Sequence, residues 1–235
     1  MENNTVLITG ANRGLGIELV KIYLAANYTV FAGTRQNSDL LEQLKTKHQE
    51  KLTIVPLDVS EDASVETAAK NIHSYQVPLD IIINNAAARF DETMNPLEDI
   101  KFDVAMKAFN INALGPLRIT KTFLPFLQNG RKKMLVNISS EAGSIGSCWR
   151  DREFDYCMSK AALNMESKLL QNYLKPSGIK VLALHPGWMH TDMGGAEAPL
   201  NPAVAAKRIH DLIEGNVGNI DGPIYLNEDG LEFPW

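Results

Sequence analysis

The sequence predicts an α/β domain, a doubly wound parallel sheet of about seven strands with helices on both faces, occupying residues 1–235 as a single unit. Three observations predict it. Short apolar runs bounded by turn residues alternate with helix-period runs along the chain, the order that calls for a parallel sheet. A glycine-rich turn, Thr9-Gly10-Ala11-Asn12-Arg13-Gly14-Leu15-Gly16, joins the first apolar run to the first helical one. The 235 residues contain no linker, repeat or low-complexity tract and suffice for one large core.

Composition narrows the function classes. A net charge of −5 and the absence of a long Lys/Arg run argue against a nucleic-acid or polybasic membrane surface. The densest basic cluster, Arg131-Lys132-Lys133, reads as a solvated turn before a strand. No apolar run approaches the roughly 18 residues that span a bilayer. The opening Met-Glu-Asn-Asn resembles neither a signal nor a transit peptide. Cys148 and Cys157 are too few for a disulfide framework and lack metal-ligand spacing, so no metal site is expected. A soluble cytoplasmic protein is the expectation.

The elements follow in order. Val6-Leu7-Ile8 is a buried strand, and Leu15, Leu19, Ile22 and Tyr23 give the next segment a helical period. Between them Gly10 allows a tight turn, Gly14 lets backbone approach a pyrophosphate, and Gly16 lets the helix pack on its strand. The spacing G-x-x-x-G-x-G is one residue longer than the usual dinucleotide fingerprint. The free N–H groups at the helix start favour negative charge.

A second strand, residues 28–33, ends in Thr34-Arg35. An Asp or Glu at this place would grip both hydroxyls of an adenosine ribose. None is present, which leaves room for a 2′-phosphate, and Arg35 supplies a planar cation for it, with Arg13 as a second. Two ordinary surface arginines are the competing reading. A polar helix near 37–48 and a strand over 52–57 lead to Asp58-Val59, where the carboxylate can accept from an adenine amino group, cap the following helix, or both. A helix over 61–75 and a strand over 79–83 end in Asn84-Asn85-Ala86-Ala87, small residues that let a ligand approach.

Residues 98–128 read as one long helix with Phe102, Ala105, Phe109 and Ala113 on its apolar stripe, kinked where Pro116 frees the carbonyl of Asn112. A fifth strand, 133–138, runs into Ser139-Ser140-Glu141-Ala142-Gly143. A helix from Glu153 is expected to bury Ala162, Met165, Leu169, Leu170 and Tyr173. Its first turns hold Tyr156 and Lys160, four apart and so on one face, where an ammonium can lower a phenol's pKa from about 10 toward neutrality. Strands over 180–184 and 223–226, a helix over 202–214 and an apolar tail, 232–235, complete the chain. His185 reads as a strand-end packing residue.

Taken together, Thr9 to Gly16, Asp58-Val59, Asn84-Asn85-Ala86, Asn112, Ser140 with Gly143, Tyr156-x-x-x-Lys160 and Pro186-Gly187-x-x-x-Thr191 make the chain resemble a short-chain dehydrogenase/reductase over nearly its whole length. Within that family it is similar to the small NADPH-dependent carbonyl reductases related to C-factor. The resemblance implies a Rossmann fold, NADP(H) as cofactor and a small-molecule carbonyl substrate. Tyr156 would be the general acid/base, Lys160 would hold the nicotinamide ribose, Ser140 would orient the substrate oxygen, and Asn112 would hold a water linking Lys160 to solvent. Ser140 is preferred to Ser139 because the family's serine stands three before a glycine.

Cofactor contacts are implied for Gly10, Asn12, Arg13, Gly14, Leu15, Gly16, Thr34, Arg35, Asp58, Val59, Asn85, Ala86, Tyr156, Lys160, Pro186, Gly187 and Thr191. The gap from Ser140 to Tyr156 is longer than is usual in the family, so residues 147–153 form either a loop at the substrate entrance or a surface insertion. Trp149, Trp188, Met189 and Met193 are expected substrate walls, with plain packing as the alternative. Paired long helices in relatives imply a homodimer or homotetramer, though some small carbonyl reductases are monomers. The competing function is an NADP(H)-binding regulatory or signalling protein on the same scaffold, or a mononucleotide-binding module.

Overall fold

The computed structural model describes residues 4–235; residues 1–3, part of the polar opening noted above, lie outside the described residues. Seven strands form one sheet: β1 Thr5–Thr9, β2 Thr29–Thr34, β3 Leu52–Pro56, β4 Ile81–Asn84, β5 Met134–Ile138, β6 Lys180–Leu184 and β7 Tyr225–Leu226. The order is β3-β2-β1-β4-β5-β6-β7 and every pairing is parallel. Strands covered on both faces are mostly apolar, and β1, β4, β5 and β6 are buried at every position. Ile8 pairs with Ala32 on one side and Ile83 on the other, so the strand order reverses at β1, and a crevice opens beyond the carboxyl ends of β1 and β4.

Helices α1 (Gly14–Ala25), α2 (Asp39–Lys47) and α7 (Pro202–Gly215) cover one face, where Leu19, Tyr23, Leu41, Ile209 and Ile213 pack on the strands. The opposite face is covered by α3 (Asp62–His73), α5 (Gly115–Gln128) and α6 (Phe154–Leu174), with Ile72, Phe123, Leu127 and Leu174 in its core.

Two helical readings from the sequence are corrected. The expected long helix is α4 (Phe102–Phe109), a π-helical turn (Asn110–Leu114) and α5. Pro116 follows the π-turn directly, and its missing N–H leaves the Asn112 carbonyl without its i+4 donor just where the ladder widens. The buried positions of α4 are Val104 and Ala108, whereas Phe102 is 79% exposed.

In α6 the inversion is larger. Met165, Leu169 and Tyr173 are exposed, and the buried face carries Ser159, Lys160, Asn164, Ser167 and Gln171 along with Leu163 and Leu174. Each polar group finds a partner, most of them at the sheet or its strand ends and, for Ser159, at Tyr156 O and Asn112 Nδ2. Asn84 Nδ2 donates to Asn137 Oδ1 at 2.8 Å, Asn137 Nδ2 donates to Ser167 Oγ at 2.8 Å, and Gln171 Oε1 accepts from Val181 N at 2.7 Å. Buried polar groups are tolerated only when bonded in this way. The periodicity was therefore helical, but its apolar side faces out.

Candidate active site

The glycine turn sits at the carboxyl end of β1. Gly10 adopts φ +65°, and a Cβ there would stand 2.8 Å from Ala86 Cα, so only glycine fits. Thr9 Oγ1 accepts from the N–H groups of Asn85 and Ala86, both at 3.0 Å, while Asn85 Nδ2 donates to the carbonyls of Thr9 at 2.9 Å and Gly10 at 3.1 Å. The end of β4 is thus tied to the turn. At the start of α1, Arg13 provides no side-chain cap and the first turn holds no acid. By contrast, Ser38 caps α2 and Asn201 caps α7. The leading amides of α1 therefore remain available to an anion.

One cleft of about 1040 Å³ runs from this turn across the sheet edge. It is lined by Gly10, Asn12, Arg13, Gly14, Leu15, Gly16, Thr34, Arg35, Asp58, Val59, Asn85 and Ala86 on one side, and by Ser140, Tyr156, Lys160, Pro186, Gly187 and Thr191 on the other. Trp149, Trp188, Met189 and Met193 also line it. Asn112 does not: it is fully buried behind the wall, accepting from Ala88 N and donating to Ala88 O, both at 2.8 Å, and donating to Ser159 Oγ at 3.0 Å.

Toward the far end, Thr34 Oγ1 donates to Gln36 O at 2.6 Å, and Arg35 stands 3.9 Å from Asp58. Asp58 Oδ1 also accepts from Ser60 N at 2.9 Å, an Asx turn entering α3. Arg13 reaches over to Asp192 at 2.5 Å, linking the glycine turn to the loop that bears Thr191. Both arginines are well exposed, and such pairs are weak enough to exchange a carboxylate for another anion. Thr191 Oγ1 accepts from Gly194 N at 3.1 Å and so shapes its own loop.

Ser139 and Ser140 diverge as extended residues do. Ser139 is buried and donates to Asn164 Oδ1 at 2.5 Å, whereas Ser140 is partly open to the cleft and its Oγ accepts from Ala142 N at 3.1 Å. Lys160 Nζ donates to Ile138 O at 2.9 Å and lies 5.9 Å from the Tyr156 ring centre. Burial lowers the Lys160 ammonium to about 8. Burial pushes the Tyr156 phenol up to about 12, against the pull of the Ser140 hydroxyl and the Arg89 guanidinium. The sequence expectation of a phenol near neutrality is thus reversed here: desolvation outweighs the nearby positive charge, and at neutral pH Tyr156 keeps its proton.

Sequence reasoning missed a charged network at the cleft mouth. Arg150 Nη1 and Nη2 donate to Glu141 at 2.6 and 2.5 Å, and its Nε donates to Glu153 at 2.5 Å. Glu153 also receives Arg89 Nε at 2.7 Å. The local signal was the Arg150/Glu153 spacing; the other contacts depend on the fold. His185, on the same wall, accepts from Glu141 N at Nδ1 and packs on Phe233, and burial lowers its pKa despite nearby Glu228. The tail does pack back. The rings of Phe233 and Trp235 rest on Tyr225, whose hydroxyl donates to Ser140 O at 2.6 Å, and Trp235 O accepts from Gly146 N at 2.7 Å.

With that geometry in place, residues 4–200 match the family model described as short chain dehydrogenase. The chain belongs to the short-chain dehydrogenases. It is 35% identical over 158 residues to the C-signal of Myxococcus xanthus, covering 67% of this chain and 93% of that protein. Among solved structures, this short-chain dehydrogenase superimposes on the NADPH-bound carbonyl reductase from chicken fatty liver with a TM-score of 0.88, at 30% identity and full coverage of both chains. The carbonyl reductase Sniffer of D. melanogaster gives a TM-score of 0.89 at 28% identity, again over both whole chains. Family and fold together make the chain an oxidoreductase of Rossmann architecture. No helix among the described residues is long and apolar enough to cross a membrane.

Proposed function

We propose that this short-chain dehydrogenase is an NADPH-dependent carbonyl reductase that converts a ketone or aldehyde to its alcohol and runs in reverse when oxidised coenzyme is in excess. The observation that carries this reading is the meeting of Ser140, Tyr156 and Lys160 in the cleft that begins at the glycine turn. The residues present fit a dinucleotide. The turn around Gly10 excludes a side chain, and the uncapped amides of α1 suit a pyrophosphate.

Asp58 and Val59 would border the adenine, Arg13 and Arg35 would take the 2′-phosphate, Lys160 would bind the nicotinamide ribose, and Pro186, Gly187 and Thr191 would meet the nicotinamide. When bound, NADPH supplies the hydride that the carbonyl carbon accepts. Ser140 donates a hydrogen bond to the carbonyl oxygen and orients it. Tyr156 then gives its phenolic proton to that oxygen, completing the alcohol. A phenol pushed up to about 12 is in the right protonation state to act as that acid at neutral pH. Lys160, lowered to about 8 by burial, would lower the phenol's pKa from beside it and pass protons between the site and solvent. Asn112, its side chain bonded to both Ala88 N and Ala88 O, would hold through its main-chain carbonyl the water that links Lys160 to solvent. We also propose that two copies associate through the exposed apolar faces of α4 and α6.

The test is turnover of NADPH with a panel of activated ketones and aldehydes, followed by nicotinamide absorbance. Wild type should consume NADPH with a higher kcat/KM than NADH, because a cation rather than a carboxylate follows β2. Tyr156→Phe should lose about a thousandfold in kcat and retain NADPH binding by calorimetry. Tight NADPH binding with an inert wild type would favour the regulatory reading instead.

A further inference from the structure

Residues 147–153, the stretch that lengthens the path from Ser140 to Tyr156, put one side chain between the two. Arg150 faces Glu141, the residue after Ser140, with both terminal nitrogens, and faces Glu153, three residues before Tyr156, with Nε. Its side chain is only 16% exposed. Glu153 itself sits at φ 60°, ψ 34°, left-handed backbone that a residue with a Cβ holds only where its surroundings over-determine it. Those surroundings are Arg150, Arg89 and the Thr93 carbonyl, which accepts from Glu153 N at 2.9 Å. The Arg150 guanidinium also stands 4.8 Å from the centre of the Trp149 ring at the rim of the cleft.

We propose that Arg150 is a positioning residue for the reductase reaction, a brace that sets the Ser140 turn and the Tyr156 helix at their working separation through Glu141 and Glu153. The inference rests on the carbonyl reductase reading above. A role in binding an anionic substrate is the other use for an arginine at a cleft. It is disfavoured because all three guanidinium nitrogens are already engaged, and two carboxylates balance Arg150 and Arg89. A planar fork suits this task because it bonds two carboxylates at once with little freedom to shift, which an ammonium does not.

The experiment is steady-state kinetics on Arg150→Lys and Glu141→Gln, singly and combined, with NADPH binding and melting temperature measured alongside. If the brace positions the reacting groups, each single variant loses about tenfold or more in kcat while the NADPH Kd and melting temperature stay at wild-type values. The double variant then loses no more than the worse single one, since both remove the same tie. A wild-type kcat for Arg150→Lys overturns the proposal. So do additive losses, and so does a fall in kcat that tracks a fall in melting temperature and NADPH affinity, which would assign the pairs to general stability. An inert wild type overturns the reductase reading and the brace with it, whereas an active wild type with an indifferent Arg150→Lys overturns the brace alone.

Discussion

Neighbouring side chains in an extended segment point to opposite sides, and Ser139 and Ser140 show what that alternation does for chemistry. The hydroxyl of Ser139 is spent on Asn164 under α6, and that of Ser140 faces the cleft. The two alanine variants should therefore separate. Ser140→Ala is expected to lower kcat by about a hundredfold with little change in melting temperature, as removal of one oxyanion donor does. Ser139→Ala should leave kcat near wild type and cost about 1–3 kcal/mol in denaturant unfolding, because Asn164 loses a buried partner. The reverse pattern would exchange their roles. At this scale much was legible, since a glycine turn and a Tyr-x-x-x-Lys pair are local demands written in adjacent residues. The bonds from Arg150 to Glu141 and from Arg89 to Glu153 were not, because the second pair spans 64 residues of sequence.

Helix α6 explains where element-scale reading fails. Hydrophobic period identifies a helix, and here its range from Phe154 agrees with the sequence within a residue at the start. The side that faces in is another matter, because strand ends at a functional site supply polar partners that make a row of Ser, Lys, Asn and Gln the better inner face. One acid on this helix has no such partner. Glu166 Oε1 is buried with no hydrogen bond among the described residues, and burial raises its carboxyl from 4.5 to about 8. Between those two values the unfolded chain releases this proton and the folded one keeps it, so the fold loses stability as pH rises through that window. Glu166→Gln removes the dependence. Calorimetry should find the variant melting several degrees above wild type at about pH 8 and no higher at about pH 4.5. Equal differences at the two pH values would refute it.

For the molecule as a whole, a doubly wound parallel sheet followed from the alternation of apolar and helical runs, while the strand order and the outward apolar faces did not. Those faces include Phe102 and Met106 on α4, and Met165, Leu169 and Tyr173 on α6, each at least 60% exposed. The two helices pack against each other, so their outer sides adjoin. The association proposed above would set a symmetric second copy on these side chains. Light scattering should give a mass twice the chain's 26.0 kDa, and Leu169→Glu should halve it. A wild type that remains monomeric at micromolar concentration would exclude this association.

The hydroxyl of Tyr225 supports the Ser140 carbonyl from 85 positions further along the chain. Ribosomes deliver a polypeptide from its amino end, so the turn that carries Ser140 gains this support only after the last strand and the aromatic rings stacked on it have emerged.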